Sequence, residues 1–175
     1  MAGGASIITL PILIFLGLPS NVANGTNRIA IMMTAFSANM GFKSKGITTY
    51  PFGAYTGACA LAGSIIGAHM AVEIKDETFN KILSIIMILV ILIIILKPGI
   101  GYKKLNLRLT GKHLKISCLF FFLIGIYGGF INAGIGFIIM LFLHYYNRLN
   151  LIKVNATKVV IVLVYTIGAF LTFFF

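Results

Sequence analysis

Apolar positions run through this chain almost without interruption, broken at a few clusters of glycine, asparagine and basic residues. Continuous runs occupy residues 5–18, 28–42, 47–71, 79–96, 116–130, 135–147 and 155–175. A helix crossing a bilayer needs about 20 predominantly apolar residues. The third, fourth and last runs reach that length, and the second approaches it. The first run is short and contains Pro11. The pieces 116–130 and 135–147 are each too short to cross and together too long for one straight helix. Asn132, Gly134 and Gly136 split them. Ile82 to Leu96 is nearly all Ile, Leu, Val and Met, which predicts a peripheral helix facing lipid. Gly53, Gly57, Gly63 and Gly67 make two GxxxG spacings within 47–71, which predicts an interior helix that a neighbouring backbone approaches closely.

Composition turns these runs into membrane spans. Of 175 residues, 59% are hydrophobic and only 10% charged, with a mean hydropathy of +1.05. A soluble domain carries about 25% charged residues, and a chain of this size leaves roughly a third of its unfolded surface exposed after folding. The fold class expected is therefore all-α, a polytopic transmembrane bundle with broken or re-entrant helices at the glycine-rich breaks. The lipid bilayer is its first partner. The net charge of +11 comes from basic residues clustered between apolar runs, where membrane topology places them, so nucleic acid is not expected. Met1-Ala2-Gly3-Gly4 lacks the basic start of a signal peptide. Cys59 and Cys118 form no CxxC pair and no disulfide framework.

An internal repeat organises the chain. Sliding it by about 131 positions places Ala2-Gly3 on Ala133-Gly134, Leu18 on Leu149, and Asn24 and Thr26 on Asn155 and Thr157. Apolar matches are cheap in membrane sequence, so the glycine and Asn-x-Thr matches carry the weight. Residues 1–100 read as a first repeat lacking its first helix, 101–115 as a basic cytoplasmic loop, and 116–175 as an incomplete second repeat. The chain is expected to be incomplete at both ends. If 116–147 is a re-entrant hairpin, Lys43, Lys45, Lys97, Lys103, Lys104, Arg108, Lys112, Lys115, Arg148, Lys153 and Lys158 share the side of that loop, and only Arg28, Lys75 and Lys81 lie opposite. A single broken crossing would abolish the bias, so the hairpin is favoured. Two copies with an odd number of crossings each would be inverted, as in many secondary transporters.

Candidate chemistry gathers at the breaks. One group is Gly3 and Gly4 with their counterpart Asn132, Gly134 and Gly136. The other is Asn24, Thr26, Asn27 and Arg28 with Asn155, Thr157 and Lys158. Each group is expected to begin a helix, where backbone N–H groups and the positive dipole end favour anions. Arg28 and Lys158 add full charge. Capping by Asn24 and Asn155, and snorkelling of Arg28 and Lys158 to headgroups, are the structural alternatives. His69 and His144 read as hydrogen-bonded structural residues, with proton shuttling the alternative. Tyr55, Tyr127, Tyr145 and Tyr165 read as packing or interfacial residues. No span carries an acid, and no cluster has metal-ligand or nucleophile-base spacing, so no enzyme, metal or cofactor is expected.

Gly3-Gly4-Ala5-Ser6-Ile7-Ile8-Thr9-Leu10-Pro11, Gly17-Leu18-Pro19 and Ala23-Asn24-Gly25-Thr26-Asn27-Arg28 resemble the sulfite exporter TauE/SafE family, also called the toluene-sulfonate uptake permeases. Tyr127-Gly128-Gly129-Phe130-Ile131-Asn132-Ala133-Gly134-Ile135-Gly136-Phe137 and Asn155-Ala156-Thr157-Lys158 resemble the family's second repeat. The resemblance implies a bacterial inner-membrane permease of about eight segments, moving sulfite, sulfonates or related small anions. A non-transporting subunit or scaffold of a larger complex is the alternative, and a homo-oligomer is left open.

Overall fold

The computed structural model describes residues 5–95 and 107–174. Among them the chain forms seven helices and no strand: α1 (Ala5–Phe15), α2 (Ser20–Ser44), α3 (Phe52–Glu73), α4 (Asp76–Ile95), α5 (Lys112–Phe130), α6 (Ile135–Tyr145) and α7 (Leu151–Phe174). The all-helical architecture agrees with the apolar runs. Helices α3, α5 and α7 are each long and apolar enough to cross a membrane, and a helix satisfies its own backbone where water is absent.

Glycine sets the packing at the centre. Gly63 and Gly67 on α3 face the backbone of Phe122 and Ile126 on α5, while Gly125 and Gly129 on α5 face the backbone of Ala60 and Ser64 on α3. A Cβ at any of these four positions would land inside a backbone carbonyl, so the two helices touch main chain to main chain. Gly53 and Gly57 turn instead to Val160 and Val164 of α7. The two GxxxG spacings of α3 thus serve two different neighbours. Partner numbers rise together along all three helices, so α3, α5 and α7 run parallel.

Their shared start is the basic end, where parts of Thr48–Tyr55, Leu109–Leu114 and Leu149–Thr157 border one cavity. The opposite end carries Glu73, Asp76 and Glu77 at the α3–α4 junction. The segment α5–α6 enters and returns at the basic end, as the charge distribution predicts. Asn147 Nδ2 donates to the Arg108 carbonyl and to Ser117 Oγ, each at 2.9 Å. Phe120 and Phe142 stack with centroids 3.7 Å apart. The descending arm is longer than the apolar run 116–130, because Lys112–Lys115 join the helix. Its 19 residues span roughly 28 Å.

Helix α2 runs the other way. It starts at the acidic end, where the Ser20 N–H donates to Asp76 Oδ1 at 3.0 Å, and finishes at Lys43–Lys45 on the basic end. The short helices α1 and α6 both have 11 residues, and α2 and α7 have 25 and 24. The starts of α2 and α7, Ser20 and Leu151, lie 131 positions apart. Helix α4 exposes Ile85, Ile88 and Leu92, consistent with a lipid-facing position. Its inner face packs Phe79 and Leu83 against Leu10, Ile131 and Ala133.

One expectation about helix starts is corrected here. Helix α2 begins at Ser20 and α7 at Leu151, so Asn24–Arg28 and Asn155–Lys158 lie one to two turns inside. The polar stretch Ser20–Asn27 is helical because Pro19 caps it and Asp76 takes its first amide. Asn24 and Asn27 face protein, so the stretch does not read as an apolar run. Asn150 caps α7, accepting the Lys153 N–H at 2.8 Å. Capping is therefore not the role of Asn24 or Asn155.

Candidate anion site at the α5–α6 break

The chain between α5 and α6 cannot continue as helix. Gly134 sits at φ +71° as the residue preceding α6, a left-handed conformation that glycine adopts without strain. A Cβ there would also collide with Val90 of α4. The break therefore brings the negative, carbonyl-bearing end of α5 next to the positive, amide-bearing start of α6.

Helix α2 lays its polar face on this junction. Arg28 donates through Nη2 to the Gly129 carbonyl, and Asn24 Nδ2 donates to the Phe130 carbonyl at 2.7 Å. These are last-turn carbonyls of α5 that lack intrahelical donors, so a cation and an amide answer its negative end. Arg28 is 0% exposed and does not snorkel to headgroups. At the other side of the break the Phe137 N–H turns back to the Gly134 carbonyl at 3.0 Å, and the start of α6 presents its positive dipole end.

The surrounding side chains are unevenly satisfied. Tyr165 donates its hydroxyl to Asn132 Oδ1 at 2.7 Å and lies within electrostatic reach of Arg28. Tyr127 donates to the Ala133 carbonyl. Thr9 Oγ1 donates to Asn27 Oδ1 at 2.7 Å. That leaves Asn132 Nδ2 and Asn27 Nδ2 buried without an acceptor, and Asn24 Oδ1 buried without a donor. A buried polar group left unpaired costs about 1–3 kcal/mol, so two idle N–H donors beside a guanidinium and a helix start call for an acceptor. Gly134 and Gly136 are buried here with Asn132, whereas Gly3 and Gly4 lie outside the described residues.

The second-copy group sits elsewhere. Lys158 is buried and donates to Asn155 Oδ1 at 2.8 Å. Asn155 Nδ2 donates to the Leu151 carbonyl at 3.0 Å, and Thr157 Oγ1 to the Lys153 carbonyl at 2.7 Å. Thr157 lines the basic-end cavity of about 370 Å³, together with Tyr55 and Lys153. Thr26, the counterpart of Thr157, is exposed. At the repeat offset Lys158 falls on Asn27 and Arg28 on Val159. Tyr165, beside Arg28, lies seven positions beyond Lys158 on α7, about 10 Å along the axis. The two groups thus occupy separate layers rather than one ring. At the acidic end a second cleft of about 600 Å³ is lined by Glu73, Tyr127 and Phe130 among others, directly behind the break.

Sequence reading took Tyr165 for a packing or interfacial residue and gave Thr9 no role, although their hydroxyls complete the asparagine contacts. It also passed over Gly125 and Gly129, although their GxxxG spacing carries the same signal as in α3. His144 Nδ1 donates to the Leu149 carbonyl, 3.0 Å away, in keeping with a structural role. His69 is exposed beside Glu73.

The family model for "Sulfite exporter TauE/SafE" matches residues 1–175. A "Probable membrane transporter protein" of Haemophilus influenzae is 29% identical over 141 residues, covering 81% of this chain and 54% of the relative. "Probable membrane transporter protein ORF9" of Sinorhizobium is 27% identical, with 81% and 53% covered. "Probable membrane transporter protein YfcA" of Escherichia coli K12 is 25% identical, with 78% and 50% covered. The chain spans about half the length of these curated relatives. No solved structure matches it.

Proposed function

This chain belongs to the sulfite exporter TauE/SafE family, and we propose that the break between α5 and α6 is where it binds a small oxyanion such as sulfite or an organosulfonate for passage across a bacterial inner membrane. One observation carries the reading: the polar groups left idle at this buried junction are chiefly donors, Asn132 Nδ2 and Asn27 Nδ2, held beside Arg28 and the start of α6. Sulfite and sulfonate present oxygens that accept such bonds. The three acids of the chain, Glu73, Asp76 and Glu77, all lie at the α3–α4 junction, with Glu73 lining the acidic-end cleft.

The route runs between the two clefts. An anion from the basic, cytoplasmic end meets Lys153 and Thr157, then Lys158 and Asn155 one turn deeper, and reaches the break behind Tyr165. From there the acidic-end cleft opens past Tyr127. Matching lengths and opposed directions of α1–α2 and α6–α7 support two inverted repeats rocking about this layer, with broken helices at the site.

The test is equilibrium binding and flux of radiolabelled sulfite by the purified chain, in detergent and in liposomes. Saturable binding, displaced by an organosulfonate but not by an organic cation, supports the reading. Binding without flux would favour the competing role of a non-transporting subunit within a larger assembly. Absence of binding would overturn the assignment.

A further inference from the structure

The side-chain amide of Asn24 has no choice of orientation at the break. Its partner there is the Phe130 carbonyl, 2.7 Å from Nδ2, and a carbonyl only accepts. The nitrogen must therefore face Phe130, and Oδ1 is the atom left over. Asn24 is 0% exposed, and that oxygen meets no donor among the described residues. Asn27 follows one helical turn later on α2, and Asn132 lies two residues beyond Phe130. Each is enclosed by protein and holds a buried Nδ2 without an acceptor. The junction thus lacks acceptors for two N–H groups and a donor for one oxygen. Buried polar groups are paired as a rule, so the missing guest has to supply both kinds of atom.

A fully ionised oxyanion supplies acceptors alone. Its oxygens suit Asn27 and Asn132, but against Asn24 Oδ1 they set lone pair to lone pair. An oxyanion that keeps one proton satisfies all three, because its bare oxygens accept while its O–H donates to Asn24. Its single negative charge also matches the one guanidinium at these carbonyls, that of the fully buried Arg28. Resting on the anion reading of this junction, we infer that the site takes its guest in the acid form, a monoanion with one O–H such as hydrogen sulfite, and that Asn24 Oδ1 is the atom that reads the proton. Fully ionised sulfite, and sulfonates without a hydroxyl, are then the weaker guests, since a site built around a substrate O–H rejects the analogue lacking it. The proton crosses on the guest itself: one hydrogen sulfite carried over equals one sulfite dianion and one proton, with no side chain having to relay it.

Two probes of equal charge and closely similar shape isolate the proton. At mildly acidic pH methylphosphonate is a monoanion with one P–O–H, and methanesulfonate is a monoanion with none. Each is titrated against radiolabelled sulfite bound to the purified chain. Arg28 of α2, Tyr127 of α5 and Tyr165 of α7 are the ionisable groups at the junction among the described residues, and a single pH keeps their state the same for both probes. Methylphosphonate should displace the label at a concentration at least tenfold lower. In Asn24→Ala that ratio should fall to near one, a change of preference that a general loss of stability does not produce. The comparison in the parent chain stands by itself should the variant fail to fold. Equal displacement by the two probes, or stronger displacement by methanesulfonate, would overturn the inference and leave the anion site in place. So would displacement by neither, or an Asn24→Ala chain that keeps the parent's preference. Sulfite that does not bind at all would remove the anion site, and the acid-form guest with it.

Discussion

Replacing Arg28 by Met separates a structural clamp from a binding group. The guanidinium contributes a charge-assisted hydrogen bond to Gly129, worth about 1.5–3 kcal/mol, and a cation at the C-terminus of α5, worth up to about 2 kcal/mol when buried. Against these stands the cost of holding a fully buried cation out of water, several kcal/mol after relaxation. Met fills much of the same space, and Asn24 still serves the Phe130 carbonyl. The terms nearly cancel, so Arg28→Met should change stability by no more than about 2 kcal/mol in either direction. Its effect on anion binding should be far larger, because the only full charge at the break is gone. The chain has no tryptophan, so thermal stability is best read as the monodisperse fraction surviving a heating series in detergent. At a hundred times its Kd a ligand stabilises by about 2.7 kcal/mol, which is several degrees for a chain of this size. Sulfite should supply that shift to the parent chain and none to Arg28→Met. A variant that loses more than about 3 kcal/mol yet keeps the sulfite shift would show that Arg28 only clamps α5.

Other outcomes test the frame around the site. Gly67→Leu drives a side chain into the Ile126 backbone and should cost about 3 kcal/mol or more. Gly41→Ala, in the last turn of α2 with nothing within 4 Å, should gain up to about 0.5 kcal/mol; the same heating series checks both. The contacts of Gly63 with Phe122 and of Gly67 with Ile126 place Cys59 opposite Cys118 on the facing helices. A short bifunctional thiol reagent should therefore link them within one chain. Its absence under conditions that label both would contradict the parallel α3–α5 register. Asn132→Ala removes both an idle donor and the acceptor of the Tyr165 hydroxyl. It should weaken sulfite binding at least tenfold, whereas Thr26→Ala, at an exposed position, should leave binding unchanged.

Much of this arrangement was legible before any coordinates. Lipid-facing α4, glycine-packed α3 and the hairpin at Asn132–Gly134 follow from period, glycine spacing and charge, which act locally along the chain. What stayed hidden depends on partners distant in sequence. The start of α2 at Ser20 needs Asp76 to receive its first amide, 56 positions away. The role of Arg28 needs the α5 carbonyls, 101 positions away, and nothing near residue 28 announces them. Tyr165 reads as a packing residue until Asn132 is seen to accept its hydroxyl. Asn24 and Asn155 match in sequence but differ in partner, one reaching across to α5 and the other back to its own helix.

Where an oxyanion settles can be located outright by soaking crystals of the chain with selenite, a close analogue of sulfite, and mapping the anomalous signal of selenium. A peak beside Asn132 Nδ2 and Asn27 Nδ2, next to Arg28 and the first turn of α6, is the expected result. A peak confined to Lys153 and Thr157 in the basic-end cavity, or no ordered selenium at all, would contradict an anion site at the α5–α6 break.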